Sequence, residues 1–319
     1  MAGLATVSTG AARRRDRAAA TRTKTVVTTR TLISSSQLNR RRGKITYRII
    51  LTLVIVVFTL IFIGPLYFLF ADGLKSTQEA IATPPTLYPH HVYPSTYLDA
   101  WNRLDVAKLL WNTMYYAFGA LAFQLVFDVT AAYSLSKLRP ALGNVISFLM
   151  LATLMIPATV LVVPQYVTVV DLPILHVNLV GTPEAIWLPS VANAFNIFLL
   201  RRFFDSIPTD YIDAAQIDGA SPLRILRSIV LPISRPIIGV VSIFGLVAVW
   251  KDFLWPLLVE YGYTPTRETL NVGIWQAAYG TPQNLIIAAS AMAAVPTIVF
   301  FLFFQRNIMS GLTSGGIRG

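Results

Sequence analysis

The fold class predicted by this sequence is an all-α protein that crosses a membrane about six times, with both ends on the same, cytoplasmic side. Three observations predict it. Of the 319 residues, 55% are hydrophobic and only 13% are charged, whereas a soluble domain carries about a quarter charged residues. The apolar residues gather into runs long enough to cross a bilayer. Lys and Arg are distributed very unevenly between the segments that separate those runs. The formal net charge of +11 is mostly a flank effect. Eleven basic residues, from Arg13 to Lys44, precede the first run, and no aromatic-interleaved basic face follows, so nucleic acid is not an expected partner. The chain has no cysteine, which excludes disulfide frameworks and thiolate metal sites.

In chain order, residues 1–44 are rich in Ala, Thr, Ser and Arg and lack apolar periodicity. They are expected to form a disordered basic cytoplasmic tail. Ile49 to Ala71 carries no charge and is long enough, at about 1.5 Å per residue, to cross about 30 Å of hydrocarbon. It is too long for a signal-peptide core, and no small-residue cleavage site follows. Gly64-Pro65 should kink it, which membrane helices tolerate. An external loop of about 72–108 follows, with Pro84-Pro85, Pro89 and Pro94 and a surface helix near Tyr97 to Leu104. Its His90-His91 pair has no evident third ligand, so no metal is expected.

Five further spans are expected at about 110–136, 145–170, 184–204, 236–260 and 285–305. The second span is interrupted only by Asp128. The third holds Pro157 and Pro164 and should be bent or broken near its end. The fourth closes at Arg201-Arg202. The fifth contains Trp250-Lys251-Asp252, and the sixth contains Pro296 and ends before Arg306. With the N-terminus inside, the inner segments hold Lys137, Arg139, Arg224, Arg227, Arg235, Arg306 and Arg318 besides the tail. The outer loops hold only Lys75, Arg103, Lys108 and Arg267, and are richer in Asp and Glu. That bias sets both ends and the 205–235 loop in the cytoplasm.

The 205–235 loop reads as two short helices around a turn. Pro208 at an early helical position and Asp210 in the first turn suit a helix start. Ile207, Tyr211, Ala214, Ala215 and Ile217 should form a small apolar surface with the alanines at its middle. Gly219 lets the backbone turn. Ser221 caps a second helix with Pro222 at its first position, Leu223, Leu226, Ile229 and Val230 make it amphipathic, and Pro232 ends it.

The run Asp213-Ala214-Ala215, three residues, Gly219, nine residues, Ile229-x-Leu231-Pro232 resembles the cytoplasmic coupling loop of ABC importer permeases, the "EAA loop". The family usually has Glu where this chain has Asp213; the charge is kept on a shorter side chain. The resemblance covers about 45–319. Phe203-Phe204 followed by Ser206-Ile207-Pro208 is similar to the carbohydrate-uptake branch. So is Trp250-Lys251-Asp252-Phe253-Leu254-Trp255-Pro256, where the family commonly has Asn at the position of Lys251. The ending Gln305-Arg306-Asn307 and Gly311-Leu312-Thr313-Ser314-Gly315-Gly316-Ile317 is similar to the maltose-type permease C-terminus.

The resemblance implies a binding-protein-dependent sugar or polyol importer in the cell membrane. Its partners would be a second permease subunit, an ATPase dimer and an extracytoplasmic binding protein. The ATPase-docking residues it implies are Asp213, Ala214, Ala215, Ile217, Asp218, Gly219, Ala220, Leu231 and Pro232. A C-terminal ATPase contact would use Gly311, Leu312, Thr313, Gly315 and Gly316. ATP and Mg would be used by the partner; this chain has no G-x-x-x-x-G-K-[ST] phosphate loop and no nucleophile-base-acid set, so neither catalysis nor a cofactor of its own is expected.

Charges inside a bilayer are costly and point to function. Asp128, Lys251 and Asp252 qualify, and Trp255, four residues beyond Lys251, could share its helix face and offer an aromatic plate to a sugar ring. These four residues are the candidate solute path. The alternative function is an ion-coupled secondary transporter acting without an ATPase, for which inverted repeats would be expected; none is visible.

Overall fold

The structure is a computed structural model. It describes the backbone of residues 41–260, 262 and 267–314, and the side chains of residues 43–260, 262 and 267–305. The tail expected at 1–44 lies outside these residues up to position 40, and helix begins at Arg41. The chain divides into two units, Met1–Gly64 and Pro65–Gly319. The first contributes most of α1 (Arg41–Asp72), whose helix runs through Pro65. Its apolar side chains, Leu53, Phe58, Ile61 and Phe62 among them, are exposed all round, as suits a helix bathed in lipid.

The second unit begins with a built external segment. Lys75 is buried, ion-paired with Asp72 and donating to the Thr86 carbonyl at 2.6 Å. Glu79 collects the Thr86 hydroxyl, the His90 N–H and the His90 ring. Then come α2 (Ser95–Arg103) and α3 (Val106–Tyr133), the latter extended by a π-helical turn, Ser134–Leu138. They are followed by α4 (Gly143–Thr153), α5 (Ala158–Val170), α6 (Glu184–Ser190) and α7 (Ala194–Asp205). Next are α8 (Thr209–Ile217), α9 (Pro222–Ile233), α10 (Arg235–Lys251), α11 (Leu254–Val259), α12 (Leu270–Ala277) and α13 (Gln283–Ser314). The described residues contain no strand.

α10 packs between α3 and α13, and α7 lies against α3. Close approach needs small residues: a Cβ on Gly119 would sit 2.5 Å from Trp187 Cζ2, so only glycine lets α6 lie on α3. One core joins the Tyr133 end of α3 to α7, α8, α9 and α10 through Leu200, Phe204, Ile212, Ile225, Val230 and Val241. A second joins Val106, Trp250, Leu270 and Ile286.

Among the described residues, three helical stretches are long and apolar enough to cross a membrane: Gly43–Asp72, Val106–Leu138 and Gln283–Gln305. Two bent pairs bring the number to five if each counts as one span. The expected spans are therefore corrected at three places, one in the position of an expected bend and two in continuity. The 145–170 segment bends by 109° between α4 and α5, in its middle rather than near its end. Pro157 is the reason: it has no N–H, and its ring would strike the carbonyl four residues back, at Thr153, where α4 stops. Pro164, by contrast, is accommodated inside α5. The 184–204 segment is two short helices, α7 restarting with Asn193 as its cap, whose side chain accepts the Asn196 N–H at 3.1 Å. The 236–260 segment breaks at Asp252-Phe253, four residues before Pro256, by the same steric rule.

Candidate functional site

The hairpin α8–α9 is closed by backbone geometry. Gly219 has φ +75°, in the left-handed region that favours glycine. The Ala220 N–H donates to the Ala215 carbonyl at 2.9 Å and the Gly219 N–H to the Gln216 carbonyl at 3.0 Å, the paired bonds of a Schellman ending. Ser221 then caps α9 at the Arg224 N–H, with Pro222 in its first turn. Within α9 the turn Leu226–Val230 is π-helical. Pro232 offers no N–H to the Ser228 carbonyl, and local widening is how such a proline is absorbed. The helix accordingly runs to Ile233 rather than ending at Pro232, and α10 leaves it at 85°.

The hairpin's inner face is held to the bundle. Ile207, Ile212, Ile225, Leu226 and Val230 are buried. The Tyr133 hydroxyl donates to the Pro222 carbonyl at 3.1 Å, Lys137 Nζ to the Ile207 carbonyl at 2.9 Å, and the Ser136 hydroxyl to Asp205 at 2.6 Å. The outer face carries the residues expected from the sequence. Asp213, Ala214, Asp218, Gly219 and Pro232 are exposed, and Ala215, Ala220 and Leu231 are half-buried. Tyr211, Ile217 (86% exposed) and Leu223 form an uncovered apolar rim. The expected apolar surface is thus split. Ile207 points inward, Ile212 joins it, and Tyr211 and Ile217 point outward; Leu223 is exposed although amphipathicity predicts it inside.

The four candidate path residues do not meet. Asp128 is fully buried, and its Oδ1 accepts the Asn193 N–H at 3.0 Å. It secures the α6–α7 break against α3, the helix that carries it. Lys251 and Trp255, expected on one face, are separated by the break between α10 and α11. Trp255 is buried beside Tyr116, Val169 and Val259, its indole N–H donating to the Ala185 carbonyl at 2.9 Å. Asp252 Oδ1 accepts the Trp255 N–H at 3.4 Å and starts α11. Lys251 is exposed into an open cavity of about 430 Å³ lined by Phe253, Asn271, Ile274, Trp275, Ser290 and Ala293.

Asn271 is the residue that holds this break: its amide donates to the Trp250 carbonyl at 3.1 Å and the Asp252 carbonyl at 3.3 Å. The aromatic plate beside Lys251 is Phe253 with Trp275, ring centroids 5.9 Å apart, not Trp255. Asn271 and Trp275 sit four residues apart on α12, an element absent from the spans expected on hydropathy. The spacing Leu270, Ile274, Ala277 is the signal that points to it. Gly311, Leu312 and Thr313 lie on the last turns of α13 by backbone; Gly315 and Gly316 lie outside the described residues.

Residues 124–310 match the family described as "Binding-protein-dependent transport system inner membrane component". The chain is 28% identical to the sn-glycerol-3-phosphate transport system permease protein of Rhizobium meliloti, over 82% of this chain and 94% of that one. It is 27% identical to the arabinooligosaccharides transport system permease protein of Bacillus subtilis, over 86% and 96%. It is 30% identical to the sulfoquinovosyl glycerol transport system permease protein of Agrobacterium fabrum, over 80% and 88%. In fold it is similar to a chain of a bacterial ABC transporter involved in the import of the acidic polysaccharide alginate, with a TM-score of 0.69 at 23% identity over 84% of this chain and 98% of that one.

Proposed function

Because the chain belongs to the family of binding-protein-dependent transport system inner membrane components, we propose how it carries out that work. It is the transmembrane permease subunit of an ATP-driven ABC importer, moving a sugar or related polyol delivered by an extracytoplasmic binding protein. The cargoes for which its relatives are named, a polyol phosphate, arabinose oligosaccharides and a sulfonated sugar glycoside, support that solute class. A second permease subunit completes the translocation path, and an ATPase dimer supplies the energy; ATP and Mg belong to that partner. On this reading the chain spans the membrane six times with both ends cytoplasmic, α6 and α7 together making one crossing.

The observation that carries the coupling assignment is the α8–α9 hairpin. Its turn is closed by its own backbone, its inner face is fastened to α3 and α7, and its outer face presents small residues between apolar ones. A rigid protrusion with alanines at its centre can enter a cleft on the ATPase. Closure of the ATPase dimer would then push on α9, and through the 85° bend at Ser234 on α10, whose far end is Lys251. The C-terminal residues Gly311 to Thr313, with Gly315 and Gly316, are proposed as a second contact with the same partner.

The test is copurification. Ala214→Arg places a long cation in the middle of the outer face, where exposure leaves room for it. The membrane-inserted variant is expected to lose the ATPase on affinity purification while keeping the second permease. Retention of the ATPase at the unsubstituted level would overturn the assignment of the hairpin.

A further inference from the structure

We propose that the cavity beside Lys251 receives an anionic group of the solute, a carboxylate, phosphate or sulfonate carried on a sugar or polyol. The proposal rests on the importer reading and narrows its solute class. Lys251 is the last residue of α10, about 24 Å along that helix from its start at Arg235, so its ammonium lies far from the Arg235 end. Among the described residues no carboxylate lies within ion-pair distance of it. The adjacent Asp252 is engaged at the start of α11, where it accepts the Trp255 N–H.

The rest of the lining carries no charge: Phe253, Asn271, Trp275 and Ser290 are its polar and aromatic members. Asn271 spends its amide N–H groups on the Trp250 and Asp252 carbonyls, and the cationic donor at the cavity is the Lys251 ammonium. In this open cavity of about 430 Å³, a cation with no carboxylate in ion-pair contact favours an anion through a charge-assisted hydrogen bond. A neutral ring entering the same space leaves that charge uncompensated and gains only stacking on Phe253 and Trp275. A negative charge on the solute is therefore the feature this cavity distinguishes.

The experiment uses the complete transporter in proteoliposomes with its binding protein, reading solute-stimulated ATP turnover with two matched pairs: galacturonate against galactose, and glucose 6-phosphate against glucose. A charged member is expected to stimulate the unsubstituted protein. Lys251→Gln should lower that stimulation by at least about tenfold, the usual scale of a lost charge-assisted bond, and Lys251→Arg should retain most of it. The galacturonate and phosphate arms distinguish a carboxylate from a phosphate as the recognised group. Stimulation by the neutral members alone overturns the anion site and leaves the importer reading standing. So does an equal loss with both members of a pair in Lys251→Gln, which would mean that the ammonium serves helix packing or a partner subunit. Absence of stimulation by both charged members overturns the anion site and leaves the importer reading, tested by copurification, standing.

Discussion

The α8–α9 hairpin and the α10–α11 break are both places where regular helix is interrupted, and they are closed in opposite ways. In the hairpin three freed N–H groups find partners within a few residues: Ala220 donates to the Ala215 carbonyl, Gly219 to the Gln216 carbonyl, and Arg224 to the Ser221 hydroxyl. At the break, the carbonyls of Trp250 and Asp252 are satisfied by the side chain of Asn271, 21 and 19 residues further on. A locally closed element can move as a unit without losing its own bonds, which is what a part that transmits force requires. A break closed from a distance ties α10 to α12, so a shift of one alters the cavity between them.

The comparison is broken or sharpened most strongly at Asn271. Asn271→Ala strands two carbonyls, at about 1–3 kcal/mol for each if they stay dry, and should lower the unfolding midpoint in detergent along with uptake. A variant as stable as the unsubstituted protein would show that water, not the side chain, closes the break. Gly219→Val comes next. A Cβ at this position would meet nothing within 4 Å, but φ is +75°, so the cost is backbone strain of about 1–3 kcal/mol. The subunit should insert and remain bound to its second permease while uptake falls to background, and Gly219→Asn should fall between. Normal solute-stimulated ATP turnover in Gly219→Val would remove the hairpin from the coupling route.

Smaller effects are expected from single bonds in each region. Tyr133→Phe removes the bond to Pro222 and Trp255→Phe the bond to Ala185, each worth about 0.5–1.5 kcal/mol. Tyr133→Phe should reduce coupling more than stability, whereas Trp255→Phe should reduce stability and spare transport. The reverse pattern would exchange the roles assigned to the two regions. The least disruptive change is Lys251→Cys, expected to leave stability unaltered and to react with a membrane-impermeant thiol reagent in at least one nucleotide state. The chain has no cysteine of its own, so protection in every state would place Lys251 off the aqueous path.

The same contrast explains what could be read in advance. The hairpin was legible because its determinants are local: Pro208, Gly219, Ser221 and Pro222 act on their neighbours, and the spacing from Asp213 through Gly219 to Pro232 carried the family resemblance. The helical class was legible from uncharged runs, which the bilayer requires regardless of packing. The division of those runs was not. Pro157 and Pro164 look alike in sequence, yet one separates two helices at 109° and the other sits inside α5; only the packing decides which proline is absorbed. Likewise, Lys251 and Trp255 share a face in an ideal helix, but Pro256 and Asn271 interrupt that helix. Asp128 stands out in the sequence as a charged residue type inside an apolar run. Its partner, the Asn193 N–H, exists only because the 184–204 segment breaks there, and nothing local to Asp128 announces it.

That last contact has a consequence for the order of biosynthesis. Asp128 leaves the ribosome 65 residues ahead of the amide that donates to it, an interval of about 3–13 s at ordinary translation rates. During that time α3 holds a carboxyl group in a hydrocarbon environment with its eventual donor not yet made, a penalty of about 2.5–3.5 kcal/mol on insertion scales. Nascent chains truncated before Asn193 should therefore leave α3 poorly inserted, and chains extended past Asp205 should seat it, a difference that topology tags on ribosome-bound intermediates can read. On that outcome the buried carboxyl group would act as a timing device, delaying commitment of α3 to lipid until α7 has arrived beside it.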